Sequence, residues 1–366
     1  MEKKKEPFEL FLVVTHNCNL DCIYCYEHNK NVSRMDVNLA KQIVEEYLTN
    51  GSYEEIRIGF FGGEPFLEFD LIKEVCEWVW SKNWGKKYQF FATTNGTLVQ
   101  NEIKEWLKKH KHRFGVILSI DGESESHNIN RNNSFDLIDF AFFKEYWSTP
   151  IAKMTISKET VHNLYNNIVY IHSLGYKISG ANFAAGIDWG DIKFKTIVFE
   201  QLEKLCQYYI ENPNIKPVSL INKQIFKCEV EKNRKEWCGC GLGVKKSAYD
   251  TDGKKFLCAF FTPMVFNEEQ LFSINKIDCT NADFFIDNEC FNNCYLEPIC
   301  DICHGANLLQ NGKINMRDRS KCELMKICAV FSAALAAHRL KQNPEDNYEN
   351  LLTTKAIQKI NALYQK

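Results

Sequence analysis

The segment Cys18-Asn-Leu-Asp-Cys22-Ile-Tyr-Cys25 puts three thiols on one short stretch, spaced C-x3-C-x2-C. Three thiolates on one loop can hold three irons of a [4Fe–4S] cluster and leave the fourth without a protein ligand. An open coordination position is what separates a catalytic metal from a structural one. The plainer alternative is a Cys3His zinc knuckle with His16 or His28 as fourth ligand, although structural zinc usually pairs its cysteines across two loops. A second group lies behind: of the 16 cysteines, eleven fall between Cys228 and Cys328, and Cys76 and Cys206 stand apart.

Such density asks for an explanation. Disulfide scaffolds belong to short secreted chains. This chain has 366 residues, and its start, Met1–Glu6, is no signal peptide. In a reducing compartment, clustered cysteines bind metal or do chemistry. The net charge of −2, from 45 Lys+Arg against 47 Asp+Glu, argues against a nucleic-acid binder. No apolar run approaches the ~20 residues of a membrane span. A cytoplasmic protein without membrane or nucleic-acid partners is the expectation.

The elements that must position the front thiols are legible. Strand-like runs fall at Phe8–Thr15, Ile56–Phe61, Tyr88–Thr93, Gly115–Ile120, Ala152–Ile156 and Ile178–Ala184. Between them lie helical patterns. Asp36 can cap a helix with the face Leu39, Ile43, Val44, Tyr47 and Leu48, closed by Gly51. Asp70 can cap the next, and further patterns run near 100–111, 134–147, 158–173 and 196–211. Six β-then-α units favour a parallel sheet or an incomplete barrel, with functional residues just after strand ends. Those ends are polar: Gly62-Gly63-Glu64-Pro65, Thr94-Asn95-Gly96 and Ser119-Ile-Asp121-Gly122. Each alone is an ordinary turn; in register behind a three-cysteine loop they are not ordinary. Beyond Asn212–Pro217 the chain is loop-rich, with a hairpin expected through Asp252-Gly253 and helical patterns near 322–341 and 347–364.

With Tyr24 before its last cysteine, and with these strand ends in this order, the sequence resembles the radical S-adenosylmethionine (radical SAM) superfamily over roughly residues 8–210. The resemblance implies that Cys18, Cys22 and Cys25 hold a cluster whose unique iron binds the methionyl amine and carboxylate. It places Gly62, Gly63 and Glu64 at the methionyl ammonium, Tyr24 near the adenine, and Ser119 and Arg131 at the ribose and carboxylate; Asn95 joins the cofactor contacts. The rear run Cys240-x12-Gly253-x4-Cys258, then Cys290-x3-Cys294-x5-Cys300-x2-Cys303 and Cys322, resembles the SPASM auxiliary-cluster domain. There the family usually reads C-x2-C-x5-C-x3-C, so the outer spacings are exchanged here. By order, Cys240, Cys258 and Cys303, with Cys238, would hold one auxiliary [4Fe–4S] cluster, and Cys290, Cys294, Cys300 and Cys322 the other. Cys228, Cys279 and Cys328 stay unassigned, and Cys76 and Cys206 read as core residues. A zinc ribbon is the alternative for this block, but seven or more clustered cysteines exceed one tetrahedral site.

The implied fold is α/β: a partial (β/α)6 TIM-like barrel over 1–215, a small cysteine-rich SPASM-like domain over 216–340 and a C-terminal helix over 341–366. The implied function is a peptide maturase that uses a 5′-deoxyadenosyl radical to take hydrogen from a ribosomally made peptide and install thioether or other side-chain crosslinks. Anaerobic sulfatase maturases are the alternative, supported by the stretch Ser119–Arg131 with His127-Asn-Ile-Asn-Arg131. Those enzymes commonly carry an Asp after the cysteine matching Cys258, where this chain has Ala259, followed by Phe260 and Phe261. An alanine cannot take a proton, and Asp250 and Asp252 read first as turn residues; no catalytic acid or base is assigned. Seventeen residues precede Cys18, too few for an N-terminal leader-binding domain, so leader recognition is expected from a separate leader-binding protein or from the body of the enzyme. The electron donor would be a flavodoxin or ferredoxin. A zinc-stabilised, non-enzymatic interaction protein is the reading from another class.

Overall fold

A computed structural model describes residues 6–50, 52–234, 240–342, 344 and 347–364. Along the chain, strand β1 (Phe8–Thr15) leads to helix α1 (Val37–Thr49), β2 (Glu55–Gly62) to α2 (Phe69–Trp80), and β3 (Lys87–Thr94) to α3 (Asn101–His110). Strand β4 (Phe114–Ser119) leads to α4 (Ser124–Asn130) and α5 (Phe140–Tyr146), β5 (Ile151–Ile156) to α6 (Leu164–Ser173), and β6 (Lys177–Phe183) to α7 (Ile192–Glu211). Then come β7 (Lys246–Tyr249), β8 (Lys255–Phe256), α8 (Glu268–Asn275), α9 (Asn288–Asn293), α10 (His304–Asn311), α11 (Cys322–Gln342) and α12 (Tyr348–Tyr364). All six expected strands are present within a residue or so of their expected ends.

The chain divides into two compact units. The first comprises the described residues of 1–119, 131–151 and 238–280. Its strand order is β4-β3-β2-β1-β7-β8, with β1 to β4 parallel and in sequence order, as expected of consecutive β-α-β crossovers. Phe60, Phe90 and Phe114 stack across β2, β3 and β4 at 5.7 and 6.1 Å between ring centroids. Helix α1 buries Ala40, Ile43, Val44, Tyr47 and Leu48, and Asp36 caps it by accepting from the Asn38 and Leu39 N–H groups at 2.9 and 3.1 Å. The residue after α1 is Asn50, in extended geometry; Gly51, expected to close the helix, lies outside the described residues.

One local expectation is corrected. Asp70 is not a cap: it lies in the first turn of α2, which starts directly after a 3-10 turn at Pro65–Glu68. Pro65 and the Glu64 side chain, which accepts from the Phe66 N–H, begin that turn earlier than the periodicity suggested. Strand β7 pairs in parallel with β1, so chain from beyond residue 215 joins the front sheet. The Asp252-Gly253 hairpin forms as expected, joining β7 to antiparallel β8.

The second unit comprises the described residues of 120–130, 152–237 and 281–366. Strands β5 and β6 are neighbours there. Its helical core packs Ile225, Leu296, Ala329, Ala333, Ala356 and Ile360 together, small residues letting helices α11 and α12 come close. Among the described residues, no helix is long and apolar enough to cross a membrane.

Candidate active site

The front thiols sit on the irregular stretch after β1, half-buried and not in disulfides. Both ends of the stretch are tied to the sheet: the His16 N–H donates to Ser33 O at 2.9 Å and the Met35 N–H to Val14 O at 2.9 Å. Inside it, the Cys25 N–H donates to Cys22 O at 3.0 Å, and the Leu20 N–H approaches the Cys18 sulfur at 3.5 Å. Burial pushes the Cys18 thiol up to about 11 and raises Cys25 as well. These thiols therefore stay protonated until a metal centre displaces the protons.

The end of β2 touches this loop. Gly63 N–H donates to Thr15 O at 3.2 Å and Glu64 N–H to Asn17 O at 2.9 Å. A Cβ on Gly63 would stand 2.3 Å from Asn17 O and 2.8 Å from Cys18 Cβ, so the strand end and the cysteine loop fit only through a glycine. Gly62, at φ +136°, is equally obligatory, since its Cβ would meet Thr15 O at 2.1 Å. Glu64 is buried, and accepts from Thr94 Oγ1 at 2.7 Å, Asn95 N–H at 2.7 Å and Phe66 N–H at 3.1 Å. Burial raises its carboxyl to about 7 against those hydrogen bonds and the nearby Arg131 charge. Arg131 in turn faces the Tyr24 ring, 5.5 Å from its centroid. Ser119 ends β4, half-buried. The first unit thus carries the three thiols, Tyr24, Gly62, Gly63, Glu64, Asn95, Ser119 and Arg131.

Several partners had no sequence signal. Asn95 Nδ2 donates to Asn19 Oδ1 at 2.9 Å, and Asn19 Nδ2 to Thr97 Oγ1 at 2.8 Å, which ties the third strand end to the middle of the cysteine loop. Lys30 Nζ donates to Leu20 O at 3.3 Å. His16 is engaged at both ring nitrogens, Nε2 with Asp250 at 2.6 Å and Nδ1 with Asn31 at 3.1 Å, which removes it as a fourth metal ligand. Asp250 opens the turn, its carbonyl accepting from the Gly253 N–H at 2.9 Å, while its buried side chain pairs with His16; Asp252 serves the same turn by accepting from the Lys254 N–H. Behind the loop, Tyr26 stacks on Phe260 at 4.1 Å and 7°, and the Asn29 N–H donates to Met264 O at 2.9 Å. Cys258 and buried Ala259 therefore lie on a segment that packs against the front loop.

The rear thiols divide between the units. Cys240, Cys258 and Cys279 belong to the first; Cys290, Cys294, Cys300, Cys303 and Cys322 to the second. Cys238 lies outside the described residues. In the second unit, the Cys294 N–H donates to Cys290 O at 2.9 Å. After burial, the charges acting on the raised Cys322 thiol come from Cys290, Arg319 and Cys294, and Cys322 acts likewise on Cys300. Cys322 therefore lies within electrostatic reach of Cys290, Cys294 and Cys300. Arg319 donates to the Cys290 sulfur and pairs with Asp287 at 2.9 Å. Cys303 sits exposed at the start of α10, where its sulfur takes the Ala306 N–H. Asp121, from the fourth strand end, accepts from Thr155 N–H at 2.9 Å and Asn130 Nδ2 at 3.2 Å, a buried tether that holds α4.

Residues 12–177 match the family model described as "Radical SAM superfamily". That segment, a little under half of the chain, is a radical SAM domain. It is 25% identical to the radical SAM cyclopropyl synthase TigE of Paramaledivibacter caminithermalis, over 86% of this chain and 72% of that one. It is 31% identical to a cysteine-type anaerobic sulfatase-maturating enzyme of Clostridium perfringens, but over only 35% of this chain and 38% of that one. The fold superposes on "Native anSMEcpe with bound AdoMet and Cp18Cys peptide" with TM-score 0.70 and 20% identity, over 92% of this chain and 98% of that one. A partial barrel with a SPASM-type cysteine-rich region and C-terminal helices is therefore the architecture of this radical SAM enzyme, and the non-enzymatic zinc reading falls away. Members of the superfamily use a [4Fe–4S] cluster and S-adenosylmethionine. Among the described residues no three His, Cys, Asp or Glu side chains are arranged to hold a single metal ion; a cluster asks for something else, one thiolate for each of three irons. Three half-buried thiols on one loop, with a glycine-lined edge beside them, fit that demand.

Proposed function

We propose that this chain is a peptide maturase that installs thioether or other side-chain crosslinks in a ribosomally made precursor. The observation that carries the reading is the apolar block after Cys258: Ala259 and Phe261 are buried, and Phe260 stacks on Tyr26 of the front loop. No carboxylate stands where the sulfatase maturases commonly have one, and the nearby Asp250 is spent on His16. Formylglycine formation is the second reading, supported by the likeness to the sulfatase-maturating enzymes.

Cys18, Cys22 and Cys25 would hold the cluster, which with bound S-adenosylmethionine supplies one-electron cleavage to methionine and a 5′-deoxyadenosyl radical. The remaining work belongs to the chain. Glu64, with a carboxyl near 7, takes the methionyl ammonium beside Gly62 and Gly63. The Tyr24 ring and Arg131 offer one face and one cation to the adenine and carboxylate, Ser119 offers a hydroxyl to the ribose, and Asn95 is held ready by Asn19. Packed Leu20, Phe66 and Val99 exclude water from the strand ends.

Two auxiliary [4Fe–4S] clusters complete the reading, one with Cys240 and Cys258 among its ligands, the other on Cys290, Cys294, Cys300 and Cys322. The functional division is barrel at 1–215, SPASM-like domain at 216–340 and C-terminal helix at 341–366. A flavodoxin or ferredoxin delivers electrons in the cytoplasm. The test is the intact mass of a cysteine-containing precursor after anaerobic co-expression. Loss of hydrogen pairs, localised by fragmentation, supports crosslinking; an aldehyde gained on a sulfatase peptide establishes the second reading instead.

A further inference from the structure

The front loop carries a lysine that neither the ligand spacing nor the strand-end motifs account for. Lys30 is half-buried, and its ammonium donates to the Leu20 carbonyl at 3.3 Å, while the Leu20 N–H points at the Cys18 sulfur at 3.5 Å. The cation is thus anchored inside the C-x3-C-x2-C turn rather than in solvent. Glu27, which is buried, follows Cys25 by two residues, and the Cys25 sulfur approaches the Glu27 carbonyl at 3.9 Å. One fixed positive and one buried negative group therefore flank the same thiols.

We propose that Lys30 is the counter-charge of the front loop, favouring the one-electron-reduced state of the cluster that Cys18, Cys22 and Cys25 hold, and that Glu27 opposes it. This rests on the cluster assignment made above. Three thiolates already place negative charge on the site, and reduction adds one electron, and no proton, from a low-potential one-electron donor. A cation held in the same loop interacts more strongly with the reduced form than with the oxidised form. Its half-exposure screens that preference. Removing the charge should cut the ratio of reduced to oxidised cluster at fixed potential by about tenfold, which is a downward shift of about 59 mV for a one-electron couple.

The experiment is a dithionite-poised redox titration of the anaerobically reconstituted protein, followed by electron paramagnetic resonance. The front-cluster signal is identified as the one that changes shape when S-adenosylmethionine is added. In Lys30→Met and Lys30→Gln its midpoint should fall, Lys30→Gln showing whether a donor to Leu20 without charge suffices. In Lys30→Arg it should stay near the wild-type value, and in Glu27→Gln it should rise. Wild-type midpoints in Lys30→Met and Glu27→Gln, with iron content retained, overturn the proposal and leave Lys30 as a loop staple. If the lysine variants fail to take up iron, Glu27→Gln decides: a raised midpoint supports the proposal and an unmoved one overturns it. A wild-type protein with no signal responsive to S-adenosylmethionine defeats the cluster assignment itself, which is a separate outcome.

Discussion

Replacing Gly63 by alanine would place a methyl carbon 2.3 Å from the Asn17 carbonyl oxygen and 2.8 Å from Cys18 Cβ. Carbon–oxygen contacts settle at about 3.3–3.6 Å, so the strand end or the cysteine loop must retreat by about 1 Å. Two hydrogen bonds span that gap, Gly63 N–H to Thr15 O and Glu64 N–H to Asn17 O. Each contributes about 1 kcal/mol, and overpacking a close-fitted site adds ~1–3 kcal/mol, so the expected loss is ~3–5 kcal/mol. The same retreat moves the first of the three thiols. We expect Gly63→Ala to lower the denaturation midpoint of the iron-free chain and to reconstitute with less iron. Gly115→Ala is the control, because a Cβ there meets nothing nearer than 3.4 Å. Unfolding at the wild-type midpoint together with wild-type iron content in Gly63→Ala would refute the argument that this glycine joins strand to loop.

Three further outcomes follow from the same geometry. Glu64 is neutral below about 7 and ionised above it, so equilibrium dialysis should show S-adenosylmethionine binding tightening from pH 6 to 8; the trend should vanish in Glu64→Gln, and a flat wild-type profile removes Glu64 from the ammonium contact. Burial lowers the His16 pKa, but the Asp250 bond and charge, with Asn31 and Glu27, carry it above 6.5. A raised folded pKa means the pair's stabilisation is full below 6.5 and lost as pH climbs through the folded value. Asp250→Asn should therefore cost ~3 kcal/mol at pH 6 and progressively less towards pH 9, read by denaturant unfolding of the iron-free chain; a cost independent of pH contradicts this. Cys322→Ala should lower iron per chain, since Cys290 and Cys294 act on its thiol, whereas Cys328→Ala, in the core of α11, should keep its iron; equal iron in the two variants removes Cys322 from the ligand set.

Six strands and most long helices were legible because their signals are local: alternation, caps and turn residues within a dozen positions. The strand ends were legible for the same reason, since Gly62-Gly63-Glu64 and Thr94-Asn95-Gly96 read directly from the chain. What the pattern could not reveal was pairing across long separations. Strand β7 joins β1 some 237 residues away, from Glu9 to Lys246, and carries Asp250 to His16. Asn19, Thr97 and Lys30 carried no signal because their partners lie on other loops or on the backbone. Asp70 misled for the opposite reason: a good capping residue was present, but Pro65 had already started the turn. The rear spacing was legible as a cysteine cluster, while the approach of Cys322 to Cys290 and Cys294 required the fold.

The central claim is that the Cys18–Cys25 loop with its strand ends generates a radical from S-adenosylmethionine. The most direct measurement is 5′-deoxyadenosine formed by the anaerobically reconstituted, dithionite-reduced protein, beside a variant with Cys18, Cys22 and Cys25 all changed to Ala. We expect the nucleoside from the wild-type chain and none above background from the triple variant. Formation at the wild-type rate in the triple variant would contradict the account.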